Sequence, residues 1–195
     1  MSRTVWREEL RGRSLGVFFV SVFGLVWASM GLTALPDGLY FVLGASSVLL
    51  VLALLSVAGY LHHAARFVPE MPQGTMNAAT WRRFRIVGVT EGLAIGAAVF
   101  VLVRVEHSEW IPAIVALIVG LHFFPLASLF RVRLYHATGL LLCAVFALTV
   151  ILALTSGVSA GWFAVPGIGC ALVLWATGAA LAVSGIRNYR VARSK

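Results

Sequence analysis

The sequence has few charged residues, and most of those it has are basic. Charged side chains make up 11% of the 195 residues, hydrophobic ones make up 61%, and the mean hydropathy is +0.96. A soluble domain carries about a quarter charged residues. The low charge content therefore excludes an ordinary soluble domain and indicates a membrane protein.

Cysteine is scarce too, and the known catalytic motifs are missing. The chain has two cysteines, Cys143 and Cys170, which are too few for a disulfide framework, and no zinc-binding pattern surrounds them. It contains no H-E-x-x-H, G-x-S-x-G or P-loop motif. These absences favour a protein that is not an enzyme, and the sequence predicts no cofactor and no metal site.

Six long apolar stretches fill most of the chain. The hydrocarbon core of a bilayer is about 30 Å thick and needs roughly 20 helical residues, which each stretch approaches or exceeds. Because a backbone in lipid must satisfy its own hydrogen bonds, these runs predict helices. The sequence thus predicts an all-α polytopic membrane bundle of six transmembrane helices in a single integral membrane domain over 1–195. The predicted spans are 15–35, 38–61, 86–103, 110–130, 134–156 and 161–186, with a cytoplasmic loop at 62–85.

Positive charge is distributed unequally between the two sides of this membrane. Fourteen of the fifteen Lys and Arg residues fall in the two tails and in alternate gaps, and Arg104 alone lies in an opposite gap. The positive-inside rule then predicts that the N- and C-termini are cytoplasmic. The preference for Arg over Lys suggests a GC-rich bacterial genome, so the predicted location is the bacterial inner membrane.

The same basic residues predict the polar partners of the chain. They sit at helix ends, where attraction to anionic lipid headgroups accounts for them, and no segment is long enough for a soluble domain that binds nucleic acid. The predicted headgroup contacts are Arg82, Arg83, Arg85, Arg131 and Arg133.

Two further patterns concern helix packing. An Arg-x-Arg sequence precedes each odd-numbered span, starting at Arg11, Arg83 and Arg131. It reflects either three repeated helical hairpins or the general preference for Arg at inner helix ends. Small residues also recur at four-residue spacing, which lets helices approach closely within the chain, in a homo-oligomer or against a partner membrane protein. The predicted packing positions are Gly88, Gly92, Gly96, Gly139 and Cys143.

Three spans each hold one ionisable residue: Glu91, His122 and His136. Glu91 lies six residues beyond Arg85 and His122 lies nine residues before Arg131, which places them about 9 and 13 Å from the inner face. A carboxyl group at that depth is costly and usually faces other helices or a watery cavity. Two interpretations stay open. Glu91 and His122 bind a proton or cation as a pair, or they are structural groups that satisfy each other or other polar neighbours.

Two neighbouring residues belong to the same question. His136 lies three residues past Arg133. It either extends the Glu91–His122 pair toward the cytoplasm or is an interfacial histidine, and the second interpretation is favoured. Pro125 frees the carbonyl of Leu121 and predicts a kink in the fourth helix.

The run Gly120-Leu-His122-Phe-Phe-Pro125-Leu-Ala127 resembles a motif of an uncharacterised bacterial family of small six-helix integral membrane proteins. The resemblance implies a location and an architecture, but no activity. It singles out His122 and Pro125 as positions to test.

The sequence therefore favours an integral membrane protein with a non-catalytic function, such as an accessory, assembly or stress-response component. The alternative is a small-solute or proton/cation transporter that uses Glu91 and His122 in the inner half of the bilayer.

Overall fold

A computed structural model describes residues 6–69, 78–156 and 161–193 of the chain. The described residues form six α-helices that are long and apolar enough to cross a membrane, which confirms the predicted all-α class. A short 3-10 turn, Ala65–Phe67, continues the second helix, and another, Ser108–Trp110, precedes the fourth. The helices are α1 (Arg7–Leu32), α2 (Asp37–Ala64), α3 (Ala78–Arg104), α4 (Ile111–Phe130), α5 (Leu134–Ser156) and α6 (Gly161–Arg193).

Several helices extend past the predicted spans at their basic ends. Helix α1 begins at Arg7 instead of residue 15, α3 begins at Ala78 instead of residue 86, and α6 continues to Arg193. Hydropathy falls at the first charged side chains, whereas the backbone hydrogen bonds of a helix continue until something interrupts them. The connection between α2 and α3 is therefore shorter than the predicted loop at 62–85, and residues 70–77 of that loop lie outside the described part of the chain.

Helix α6 occupies the centre of the arrangement. It contacts α1, α2, α4 and α5, and its contact with α1 is the most extensive in the molecule. The consecutive pairs α1–α2, α3–α4, α4–α5 and α5–α6 are all in contact, and α4 packs on α5 more extensively than on α3. These contacts do not divide the chain into three separate hairpins. Within the described residues, α4 is the one helix that α3 touches, so α3 stands at an edge.

Glycine sets the close contact between α1 and α6. A Cβ atom at Gly167 would overlap the Gly31 backbone and lie 2.9 Å from the Trp27 carbonyl oxygen. Further along, the Trp175 indole packs on Gly24 and donates a hydrogen bond of 3.3 Å to the Ser21 carbonyl. Such backbone-to-backbone contact gives membrane helices the van der Waals packing on which their association depends.

Candidate functional site

The interface between α3 and α4 brings Glu91 and His122 together. Oε2 of Glu91 lies 3.4 Å from Nδ1 of His122. The two residues lie at matching depth because α3 and α4 form a hairpin: Glu91 is 13 residues before Arg104 and His122 is 11 residues after Ile111. The sequence left open whether these side chains meet, and the structure places them in contact.

Helix α4 makes this contact while it packs on α5 with a different side. Its buried residues Ala116, Gly120 and Phe123 form that second side, and a Cβ atom at Gly120 would lie 2.9 Å from Cys143 Sγ of α5. His122 points away from this side, toward α3. Because His122 lies on the side of α4 opposite its small residues, it reaches α3, the helix at the edge of the bundle.

The Glu91–His122 pair is largely enclosed. The His122 side chain is 13% exposed and the Glu91 side chain is 23% exposed. The His122 ring also interacts with the backbone of Val87, one turn before Glu91 on α3. At the basic ends of the same helices, the rings of Phe84 and Phe130 meet with centroids 5.7 Å apart. The ion pair and the ring contact therefore join the same two helices at two levels.

The chemistry of the pair follows from its total proton count. A carboxylate beside a neutral imidazole carries one negative charge. Once the pair has bound one proton it is neutral overall, whichever of the two groups carries that proton. Adding or removing one proton leaves a net charge, which is costly within an apolar layer. The arrangement can therefore hold α3 against α4 as a neutral unit, or exchange its proton where water reaches it.

The other candidate residues take separate positions. His136 is exposed at the beginning of α5, and its ring lies 6.1 Å from that of Phe124. No described contact joins His136 to Glu91 or His122. Helix α4 continues through Pro125 and ends at Phe130, and the next residue, Arg131, adopts a left-handed conformation with φ of 54°.

The predicted packing residues divide into two groups. Gly139 and Cys143 of α5 pack closely on α4, since a Cβ atom at Gly139 would lie 2.7 Å from the Gly120 carbonyl oxygen. The other three, on α3, face open space, because a Cβ atom there would meet nothing within 4 Å among the described residues. Their packing in a homo-oligomer or against a partner membrane protein stays a prediction. The side of α3 that faces α4 is centred on Glu91, and the glycines lie beside it. These three residues are Gly88, Gly92 and Gly96.

The predicted headgroup arginines are all exposed at helix ends. They are Arg82, Arg83, Arg85, Arg131 and Arg133. Arg82, Arg83 and Arg85 belong to the first turns of α3, while Arg131 and Arg133 lie in the short connection between α4 and α5. Their contact with anionic headgroups stays a prediction.

Sequence reasoning missed a polar cluster between α1 and α6. Arg13 donates to Ser184 Oγ and pairs with Glu9 at 3.0 Å, and Asn188 donates to the same Glu9 oxygen at 3.3 Å. The spacing of Glu9 and Arg13 is typical of a helical ion pair. Their partners on α6 lie more than 170 positions away in the chain, and no pattern in the sequence connects them.

The fold and this site define a multi-pass membrane protein with one acid–base pair between two helices. Residues 87–181 match the model of a family of unknown function, DUF7010. The match begins in α3, includes both Glu91 and His122, and ends within α6. No curated protein and no solved structure matches the chain.

Proposed function

We propose that the protein is a non-catalytic accessory or assembly component of the bacterial inner membrane, with both termini in the cytoplasm. The concentration of fourteen of fifteen positive charges on one side supports this orientation. In this role it acts through association within the bilayer with another membrane protein or with a second copy of the chain. It also contacts anionic lipid headgroups through Arg82, Arg83, Arg85, Arg131 and Arg133.

One observation carries the non-catalytic role. The most unusual polar groups of the membrane interior, Glu91 and His122, lie 3.4 Å apart, and this distance supports the interpretation that they satisfy each other. An intramembrane acid that serves a substrate would face a cavity or pathway. Here the acid faces the adjacent helix, where a protonated His122 would neutralise it.

A ligand-dependent stability screen tests this proposal. The purified protein in detergent is heated across a range of pH values with a panel of ions and metabolites, beside Glu91→Gln and His122→Ala. A ligand that prefers the folded state raises the apparent stability by mass action. We expect no ligand to raise the melting temperature of the wild type, and we expect both variants to melt at lower temperature.

Thr90→Ala is the matched control, because Thr90 precedes Glu91 on α3 and is exposed. It should melt like the wild type throughout. Stabilisation by an ion or solute that is lost in Glu91→Gln but kept in Thr90→Ala would contradict the non-catalytic role.

Proton or cation transport is the second candidate function. It is favoured by the partial exposure of the pair, since 23% of the Glu91 side chain remains accessible. A titratable pair inside a membrane is the arrangement from which proton relays are built.

Proteoliposomes separate the two functions. Vesicles that contain the protein and an internal pH-sensitive dye receive an imposed pH gradient, and the decay of the gradient is followed. Transport predicts faster decay than in protein-free vesicles and loss of that effect in Glu91→Gln. The accessory role predicts equal decay in all three preparations.

A further inference from the structure

The last turns of α6 contain a groove that the proposed function does not use. It is a shallow, open depression on the surface of α6 alone, with a volume of about 300 Å³, and it is called the groove below. Its lining residues follow the three- and four-residue spacing of one helix face. They are Val183, Ile186, Arg187, Arg190 and Val191.

The two arginines of this groove carry uncompensated positive charge. Both are exposed, and among the described residues no carboxylate pairs with either of them. Glu9, on the neighbouring α1, already pairs with Arg13 and accepts from Asn188. The groove therefore offers two guanidinium groups to an anion.

The apolar half of the groove lies on the membrane side of these arginines. Val183 is 65% exposed and comes one turn before Arg187. Helix α6 has 33 residues, which corresponds to about 50 Å, whereas the hydrocarbon core is about 30 Å thick. The helix must therefore extend past the hydrocarbon core, and we expect its basic end to lie in the headgroup layer, with Val183 on the acyl-chain side and Arg190 on the water side.

We propose that this groove binds one anionic phospholipid. Arg187 and Arg190 hold the phosphate through charge-assisted hydrogen bonds, and an acyl chain lies along Val183 and Ile186. Guanidinium groups suit this role because they can donate two parallel hydrogen bonds to a phosphate. The site requires a membrane location and does not depend on the accessory role.

Native mass spectrometry of the full-length protein tests the site. The protein in a neutral detergent is titrated with phosphatidylglycerol or, separately, with phosphatidylcholine, and the bound lipids are counted. We expect one phosphatidylglycerol to bind preferentially to each chain. An arginine near a lipid surface contributes about fivefold in affinity, so R187Q/R190Q should weaken this binding about thirtyfold.

The control variant is R104Q, which removes an exposed arginine from the opposite end of α3 and is compared with the single variants R187Q and R190Q. Helix α3 does not contact α6 within the described residues, so this variant should bind phosphatidylglycerol like the wild type. If R187Q/R190Q does not fold, the single variants R187Q and R190Q decide, each with an expected loss of about fivefold. Equal binding of the two lipids, or equal losses in the α3 and α6 variants, would overturn the proposal.

Discussion

Glu91 and His122 meet in a layer where an isolated charge of either sign would be costly. Their 3.4 Å contact lets them share one proton and remain neutral as a unit. Because α3 touches no other described helix than α4, this contact lies where α3 has few alternatives for attachment. The pair is therefore expected to contribute to the position of α3 in the membrane.

A double-mutant cycle on Glu91→Ala and His122→Ala measures this contribution. Each single variant leaves one polar group without its partner, whereas the double variant removes both groups. We expect a coupling energy of about 1 kcal/mol, the usual scale for polar pairs between membrane helices. The free energy of unfolding is measured by titration with a denaturing detergent in mixed micelles.

The control cycle combines Glu91→Ala with Thr138→Ala on α5. Helices α3 and α5 have no described contact, so these effects should add within about 0.5 kcal/mol. Coupling of similar size in both cycles would show that the Glu91–His122 result reflects general loosening of the protein.

Thr138 and Thr177 form a second polar pair, between α5 and α6. Their hydroxyl oxygens are 2.8 Å apart, so one hydroxyl donates to the other. Each hydroxyl also lies within hydrogen-bonding distance of the carbonyl oxygen four residues earlier on its own helix, to which the accepting hydroxyl can donate. Because Val keeps the shape of Thr, Thr138→Val should cost only about 0.5–1 kcal/mol in the same unfolding assay.

Thr155→Val provides the comparison for that substitution. Thr155 is exposed and has a described hydrogen bond to the Ile151 carbonyl, so its loss should have almost no effect. An equal loss in Thr138→Val and Thr155→Val would mean that the bond between α5 and α6 contributes nothing.

At the scale of whole helices, the glycines serve two different purposes. Gly31 and Gly167 lie where the backbones of α1 and α6 touch, and Gly120 and Gly139 do the same for α4 and α5. The glycines of α3 have the same four-residue spacing, but no neighbouring helix covers them within the described part of the chain. Spacing alone therefore does not identify a helix contact.

Substitution by alanine distinguishes the two kinds of glycine. Gly167→Ala places a methyl group against the Gly31 backbone, which cannot move aside as a flexible side chain can. Overpacking of this kind typically costs about 1–3 kcal/mol. We expect a correspondingly lower free energy of unfolding in mixed micelles.

Gly92→Ala is the matched variant, because a Cβ atom there meets nothing within 4 Å. It should be neutral or stabilising by up to about 1 kcal/mol, since alanine favours a helix more than glycine does. Destabilisation of Gly92→Ala in the monomeric protein would contradict the open position of this side of α3.

At the scale of the whole molecule, α6 packs against α1, α2, α4 and α5, so the first and last helices of the chain are neighbours. The tight contact between α1 and α6 joins the two ends of the chain, and α3 remains at the edge. Because α1 begins and α6 ends at basic segments, the proposed orientation places both of these helix ends on the same side of the membrane.

Cysteine labelling in intact cells tests which side that is. Ser108→Cys lies in the connection before α4, and Ser194→Cys lies near the C-terminus. A membrane-impermeant maleimide should label Ser108→Cys directly, and it should label Ser194→Cys only after the cells are permeabilised. Because the native Cys143 and Cys170 lie within α5 and α6, Cys143→Ala/Cys170→Ala serves as the background. The reverse labelling pattern would contradict the proposed orientation.

The sequence by itself determined the number of helices, their approximate bounds and their all-α class. It could do so because each apolar run must form its own backbone hydrogen bonds in lipid, a requirement that is local in the chain. It also singled out Glu91 and His122, because an ionisable residue in an apolar span stands out without any knowledge of its neighbours.

Only the tertiary structure decided which of these residues meet. The rotation of α4 directs His122 toward α3 and Gly120 toward α5, and the outward rotation of α3 leaves Gly92 exposed. The Glu9–Arg13–Ser184–Asn188 cluster likewise joins opposite ends of the chain. Helix neighbours and rotations depend on packing summed over whole interfaces, because lipid is as apolar as the helix surfaces and hydrophobicity does not distinguish one side of a helix from another.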